Sequence, residues 1–504
     1  MIPAWIWSLL VVTGGCILAI WLGSYLPSLD PGEAIELVLL SAACILCAAF
    51  NNFPFLLAFG LWTPFFPHIG PIASFPAIGY AVIWMIGVLF FRLCLQGYLS
   101  YKKSFNWLLL LTFAWVPVRF MLNPVHKLGA TAGGSGISGA MPYFNFCVAA
   151  GLLLFVGAIL NTRPTVMYFM RCCYFVVLLS GLFMFVCAFI PATGPFLYSM
   201  GVFAAGDIGD GLLRLVQLPG YGLFLIQGAL CPALFRLKRW QCVLLFVLGW
   251  AMMIIGGNRG AMAAAIMVIP LTFLLRRKIN ACMISLFCMV AGVAFLRTLV
   301  SSMPEQDIPS LVRSFGFLDS KIEKATGGDA SAEWRYEIWA DGWKKIMESP
   351  LTGKGFGNLP EHIEGNEAAR STDFETVLAG GEAHNGFVNA AYGFGLPFTI
   401  ILSAMLIWFL IKESVLAFRT DKHDPEMRDL HAMLAGLFFI YPLLIYVAFD
   451  LSTAMMWAYG AVSCVISNLP RTNREEIASA GAPLRKYGEE PRPVGPYSYP
   501  YRSR

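Results

Sequence analysis

Residues 240–278 read WQCVLLFVLGWAMMIIGGNRGAMAAAIMVIPLTFLLRRK. Two apolar runs, 240–256 and 261–275, are separated only by Gly257-Asn258-Arg259-Gly260. Basic residues stand at the far ends: Arg236, Lys238 and Arg239 before the first run, Arg276, Arg277 and Lys278 after the second. A helix of about 20 apolar residues crosses the hydrocarbon core of a bilayer. Lys and Arg gather in short loops on the cytoplasmic side. The stretch therefore predicts a membrane hairpin of two helices, with its short turn facing outside.

The same pattern extends along the chain. Its 504 residues are 58% hydrophobic and 13% charged, with mean hydropathy +0.67. A soluble domain carries about 25% charged residues, so the soluble globular classes are excluded. Further runs of spanning length fall at 4–24, 34–50, 73–93, 106–122, 140–160, 166–190, 218–235, 279–298, 393–411, 431–449 and 453–468. The run 54–71, interrupted by Pro64, Pro67 and His68, is either a span or a re-entrant piece. The expected fold is an all-α polytopic membrane protein with about 12–14 transmembrane helices.

Basic residues fix the orientation. Lys102 and Lys103, Arg163 and Arg171, Arg236 to Arg239, Arg276 to Lys278, and Lys412 to Arg428 occupy alternate connections. The positive-inside rule makes these cytoplasmic and puts 123–139, 191–217, 257–260 and 300–392 outside. Four parts follow: helices with short outer loops over 1–299, an outer loop domain over 300–392, C-terminal helices over 393–470, and a Pro-, Gly-, Arg- and Glu-rich cytoplasmic tail, expected to be disordered, over 471–504. The run Ile2–Leu22 has no basic residues before it and reads as a retained first helix. None of the thirteen Cys lies in 300–392, and Cys44 and Cys47 sit in an apolar run as packing residues. The net charge of +5 comes with no long basic run, so nucleic acid is not an expected partner.

Two arginines fall on the outer side against the rule. Arg214 stands just before the run at 218, and Arg259 lies between glycines in the hairpin turn. Each is either an interfacial residue that snorkels to water or a ligand for an anion. Glycines beside Arg259 favour the anion, because backbone N–H groups and a guanidinium can then approach it together. The guanidinium fork matches phosphate oxygens.

Within the outer loop, SAEWRYEIWADGWKKIME (331–348) predicts a helix capped by Ser331 and ended before Pro350. Trp339, Trp343, Ile346 and Met347 form an apolar stripe expected to pack on the membrane surface or on the bundle, and Arg335 lies one turn before Trp339. Leu351-Thr-Gly-Lys-Gly-Phe-Gly357 is expected to be a flexible turn, since it lacks the strand and helix of a dinucleotide loop. The loop ends in Gly381-Glu382-Ala383-His384-Asn385. His384 lies close to an expected helix start, where the dipole disfavours an imidazolium. A neutral imidazole there can serve as a general base. Glu382 and Asn385 can orient the ring or a substrate.

These motifs together resemble the O-antigen ligase and polymerase superfamily of bacterial envelope glycan enzymes. The resemblance covers roughly 200–412: GNRGA in a turn, then WRYEIWADGW, SPLTGKGFG, and AHNGF with GFGLP leading into a span. It implies a GT-C-like helical fold with a long helical periplasmic loop. It also implies a metal-independent, inverting glycosyltransferase with no cofactor, in the bacterial inner membrane, its active site facing the periplasm. The implied donor is an undecaprenyl-pyrophosphate-linked glycan. The implied acceptor is a glycan (polymerase) or a lipid A-core sugar (ligase), with a chain-length regulator or export machinery as a further partner. Arg214 and Arg259 would hold the pyrophosphate, His384 would take the acceptor proton, and Arg335, Asn385 and Glu382 would position substrate. A flippase for the same lipid-linked glycans is the alternative. It predicts inverted repeats and charged residues inside the spans, and acidic residues within the runs are few.

Overall fold

The computed structural model describes residues 52–63, 68–69, 73–74, 102–122, 141–199, 204–207, 212–215, 217–304, 315–316, 318, 321–322, 329–356, 374–379, 383–447 and 454–469. The spans expected at 4–24 and 34–50, Cys44, Cys47 and the tail from 471 lie outside them.

The described chain is mostly helical: α1 Phe53–Trp62, α2 Trp107–Leu122, α3 Met141–Ile159, α4 Arg163–Ala188, α5 Leu218–Leu230, α6 Arg239–Gly256, α7 Arg259–Leu275 and α8 Ile279–Ser302. After these come α9 Asp329–Glu348, α10 Phe374–Ala379, α11 Gly386–Phe394, α12 Leu396–Arg419, α13 Pro425–Val447 and α14 Ala454–Ser467. Among the described residues, the five helices α4, α6, α8, α12 and α13 are long and apolar enough to cross a membrane. Six more apolar helices are shorter. Two small antiparallel pairings depart from the all-α expectation: His68–Ile69 with Ala73–Ser74, and Ala204–Asp207 with Leu213–Leu215.

The quoted hairpin forms as α6 and α7. Gly257 ends α6 at φ +63°, where its N–H reaches the carbonyls of Met253 and Ile254. Asn258 then caps α7, its side chain accepting from Ala261 N–H at 3.0 Å. Lipid gives helices no hydrophobic drive to associate, so close backbone approach must hold them. α5 and α6 supply it: a Cβ on Gly222 would sit 2.5 Å from the Gly249 carbonyl oxygen. By contrast α8 leaves Ile284, Phe287, Val290 and Phe295 exposed, the surface of a helix suited to lipid.

Three expected runs are cut differently. The run 218–235 breaks at Cys231, because Pro232 starts a new turn. The run from 393 becomes α11 and α12, joined at Gly395 with φ +93° and followed by Pro397 in the first turn of α12. Among the described residues of 54–71, the helical part belongs to Phe53–Trp62, which is too short to span alone.

The alternate connections that carry basic residues meet one another. Arg163 forks onto Asp424 at 2.6 and 2.7 Å. Arg171 and Arg236 share Glu426, and buried Arg276 holds buried Asp429 at 2.6 Å. Glu413, fully buried, is held by His431 Nδ1 at 2.6 Å and Ser463 Oγ at 2.5 Å. Glu413 and Asp429 lie inside α12 and α13 but beyond the expected runs 393–411 and 431–449, so the expected scarcity of acids within the runs is not contradicted by them. Both sit near the helix ends where the basic connections gather, and each is matched by a cation or a donor.

Candidate functional site

The residues singled out in the sequence collect where the other set of connections meets. Arg214, on the short strand Leu213–Leu215, lays its guanidinium on the α6–α7 turn. Its Nε and Nη2 donate to the Gly256 and Gly257 carbonyls, each at 3.4 Å. Arg259 is the first residue of α7 rather than the middle of a loop. It lies where the positive end of the helix dipole points. The backbone of Gly316 lies against it: a Cβ added there would be 3.0 Å from the guanidinium carbon.

Arg335 reaches the same place from the loop helix α9. Its guanidinium pKa is lowered by burial and by the charge of Arg259, and its buried Nε meets no acceptor. Arg335 thus brings a second cation to Arg259, together with a dehydrated and unmatched donor, which makes this a candidate site for an anionic group.

His384 completes the cluster. Its backbone stands in the left-handed region at φ +51°, an uncommon conformation for a residue with a side chain. Three contacts around it impose this geometry. Trp339 Nε1 donates to the Ala383 carbonyl at 2.8 Å, and Ala383 N–H donates to Asn389 Oδ1 at 3.1 Å. Asn385 caps α11, its Oδ1 accepting from Phe387 and Val388 N–H at 3.0 and 3.2 Å. The edge of Trp334 meets the imidazole at 5.8 Å between ring centres. Burial, and then the charge of Arg335, push the imidazole pKa down to about 4. The ring is neutral at ordinary pH, as the expected helix start implied, but desolvation is the larger cause.

Asn385 thus acts first as a helix cap, and it is 4% exposed. Replacing Asn385 by alanine is expected to cost about 1 kcal/mol. A lowered thermal midpoint of the purified protein would report it, and an unchanged midpoint would contradict the capping role. Glu382 lies outside the described residues.

Several loop expectations are corrected. α9 begins at Asp329, so Ser331 lies inside its first turn rather than at its cap. The apolar stripe of α9 divides: Ile346 packs inward with Ile338, and Trp343 and Met347 are each 54% exposed. The reason is Gly342, which brings α9 onto Leu378 and Val388. The Gly353-Lys354-Gly355 turn is bound, not flexible: Lys354 N–H donates to Tyr392 O at 2.7 Å and its ammonium pairs with Glu348 at 2.5 Å. Trp334, Trp339 and Asn389 position His384, and sequence reading missed those roles. Asn389, one helical turn after Asn385 in an apolar run, was the available signal.

Residues 244–403 match the family model described as O-Antigen ligase. The matched stretch contains Arg259, Arg335, His384 and Asn385, while Arg214 precedes it. No curated protein matches the chain.

Proposed function

We propose that this chain, whose residues 244–403 match the O-Antigen ligase model, is a membrane glycosyltransferase of the O-antigen ligase and polymerase superfamily working on a lipid-pyrophosphate-linked glycan. The observation that carries the proposal is the cluster of Arg259, Arg335 with its unmatched Nε, and neutral His384. The donor is a glycan on undecaprenyl pyrophosphate, presented on the periplasmic face of the bacterial inner membrane. Arg259, with Arg214 behind it on the same turn, holds the pyrophosphate. Arg335 approaches from the loop helix and positions the group. These cations stabilise the charge that develops as the carrier pyrophosphate leaves, the task a metal performs in other transferases.

His384 accepts the proton of the acceptor hydroxyl as its oxygen attacks the anomeric carbon. The carbon–oxygen bond to the pyrophosphate breaks on the opposite face, so the configuration inverts. A free imidazole with a pKa near 4 is a weak base. Pyrophosphate on the arginines offsets the charge that depresses it, so donor binding raises the basicity of His384. The base is thereby strengthened when the donor is in place.

The flippase alternative predicted charge inside the spans. Glu413 and Asp429 lie near helix ends beyond the runs 393–411 and 431–449, and both are tied to partners away from the arginine cluster. The acceptor is settled by the glycan profile of a strain lacking the gene. Single repeat units in place of polymer identify a polymerase acting on a second lipid-linked repeat. Lipid A-core without its chain, with polymer left on the carrier, identifies a ligase. A wild-type profile contradicts the proposal.

A further inference from the structure

The matched stretch begins at residue 244, yet the site is tied to a helix far upstream. α2 points two donors, four residues apart and so on one face, at two carbonyls of the loop region. Trp115 Nε1 donates to the Phe394 oxygen at 3.1 Å, and Arg119 Nη2 to the Gly353 oxygen at 3.0 Å. These carbonyls flank a tight backbone crossing. A Cβ on Gly353 would lie 2.6 Å from the Gly395 and Phe394 nitrogens, and one on Gly395 would lie 2.3 Å from the Leu351 oxygen. Both glycines have positive φ, +69° and +93°. The crossing is laced by Lys354 N–H to Tyr392 O at 2.7 Å and Leu396 N–H to Pro350 O at 2.8 Å.

Its placement matters for the site. On one side the crossing leads back into α9, which carries Arg335, and Lys354 grips the last residue of that helix, Glu348. On the other side it closes α11, which begins directly after His384 and Asn385. Arg335 and His384 are therefore set relative to each other by this joint as well as by the tryptophans of α9.

Arg119 is only 8% exposed, and among the described residues no carboxylate pairs with it. Its Nε is buried without an acceptor. An apolar side chain would fill that space at far lower desolvation cost. What the arginine adds is a charge-assisted grip on the Gly353 carbonyl.

We infer that Trp115 and Arg119 are positioning residues that lock the Gly353–Gly395 crossing and thereby hold Arg335 and His384 in register for transfer. This inference rests on the transferase reading for its kinetic consequence, but the lock itself can be read without activity.

The test uses the full-length protein in lipid nanodiscs. Arg119→Met, which keeps bulk and removes the donor, is expected to lower kcat about 10- to 100-fold with the donor KM unchanged. Trp115→Phe is expected to lower kcat about 3- to 10-fold. In both variants the Lys354 and Leu396 amides should exchange hydrogen faster than in the wild type, while amides within α4 and α13 do not change. Wild-type kcat and wild-type exchange in Arg119→Met overturn the inference. A raised donor KM with unchanged kcat also overturns it, making Arg119 a donor contact. If Arg119→Met does not accumulate, Trp115→Phe decides by the same two readouts. Absence of transfer by the wild type overturns the transferase reading, and the exchange data then still decide the lock.

Discussion

His384→Ala is expected to lower glycan transfer by about 10²- to 10⁴-fold, with the protein still inserting and accumulating. The imidazole packs against the Trp334 edge, and the backbone contacts that shape its segment come from Trp339, Asn385 and Asn389. Truncating the ring leaves those contacts in place, so the loss falls on the chemistry. The pH dependence carries a second signature. With its pKa pushed down to about 4, the ring in the free protein is a neutral acceptor above that pH and is protonated as pH falls through it. The acid limb of kcat/KM is therefore expected near pH 4, well below the value of about 6.5 for an ordinary histidine. Bound pyrophosphate offsets the charge of Arg335, so the acid limb of kcat should lie at higher pH than that of kcat/KM. Coincident limbs would contradict an anion seated on the arginines. A His384→Ala protein with wild-type transfer would remove the base from the mechanism.

Arg259→Ala is expected to reduce transfer about 10²- to 10³-fold, the usual cost of removing one preorganised donor to a developing negative charge. Arg335→Met should lower it on the same scale, and this variant separates function from folding. Arg335 is held in a place unfavourable to it, dehydrated, beside Arg259 and with an unmatched Nε. Replacing it with an apolar side chain relieves those costs. The thermal midpoint of the donor-free protein should therefore hold or rise while transfer is lost, the usual trade between a strained site and stability. A midpoint that falls together with activity would make Arg335 a structural residue. Retained transfer would remove it from the site.

Much of the architecture was legible because lipid imposes a simple requirement on sequence. A span must be long and nearly free of charge, and basic residues mark its cytoplasmic end. The α6–α7 hairpin followed from that rule, though its turn is shorter than expected, with Gly257 and Asn258 as the caps. The grouping of Arg259 with His384 was an expectation from sidedness together with the motif order; Arg335, which feels the charge of Arg259 and acts on His384, links the two. What the rule could not reach were contacts between distant segments. Glu413 finds His431 and Ser463 on two other helices, and nothing local announces that a glutamate in α12 is buried. Which apolar residues of α9 pack inward was not legible, because they surround much of the helix. Gly342, through its close contact with Leu378 and Val388, decides which of them turn inward. The break at Gly395 has a local signal in Pro397, but the backbone crossing with Gly353 that requires a glycine there has none.

The most direct measurement is transfer by the purified protein in nanodiscs, given undecaprenyl-pyrophosphate-linked glycan and an acceptor, with EDTA present throughout. The predicted result is release of undecaprenyl pyrophosphate with formation of an extended glycan of inverted anomeric configuration, and none of either from His384→Ala. Transfer that stops in EDTA and returns with Mg²⁺ or Mn²⁺, or equal release by wild type and His384→Ala, would contradict it.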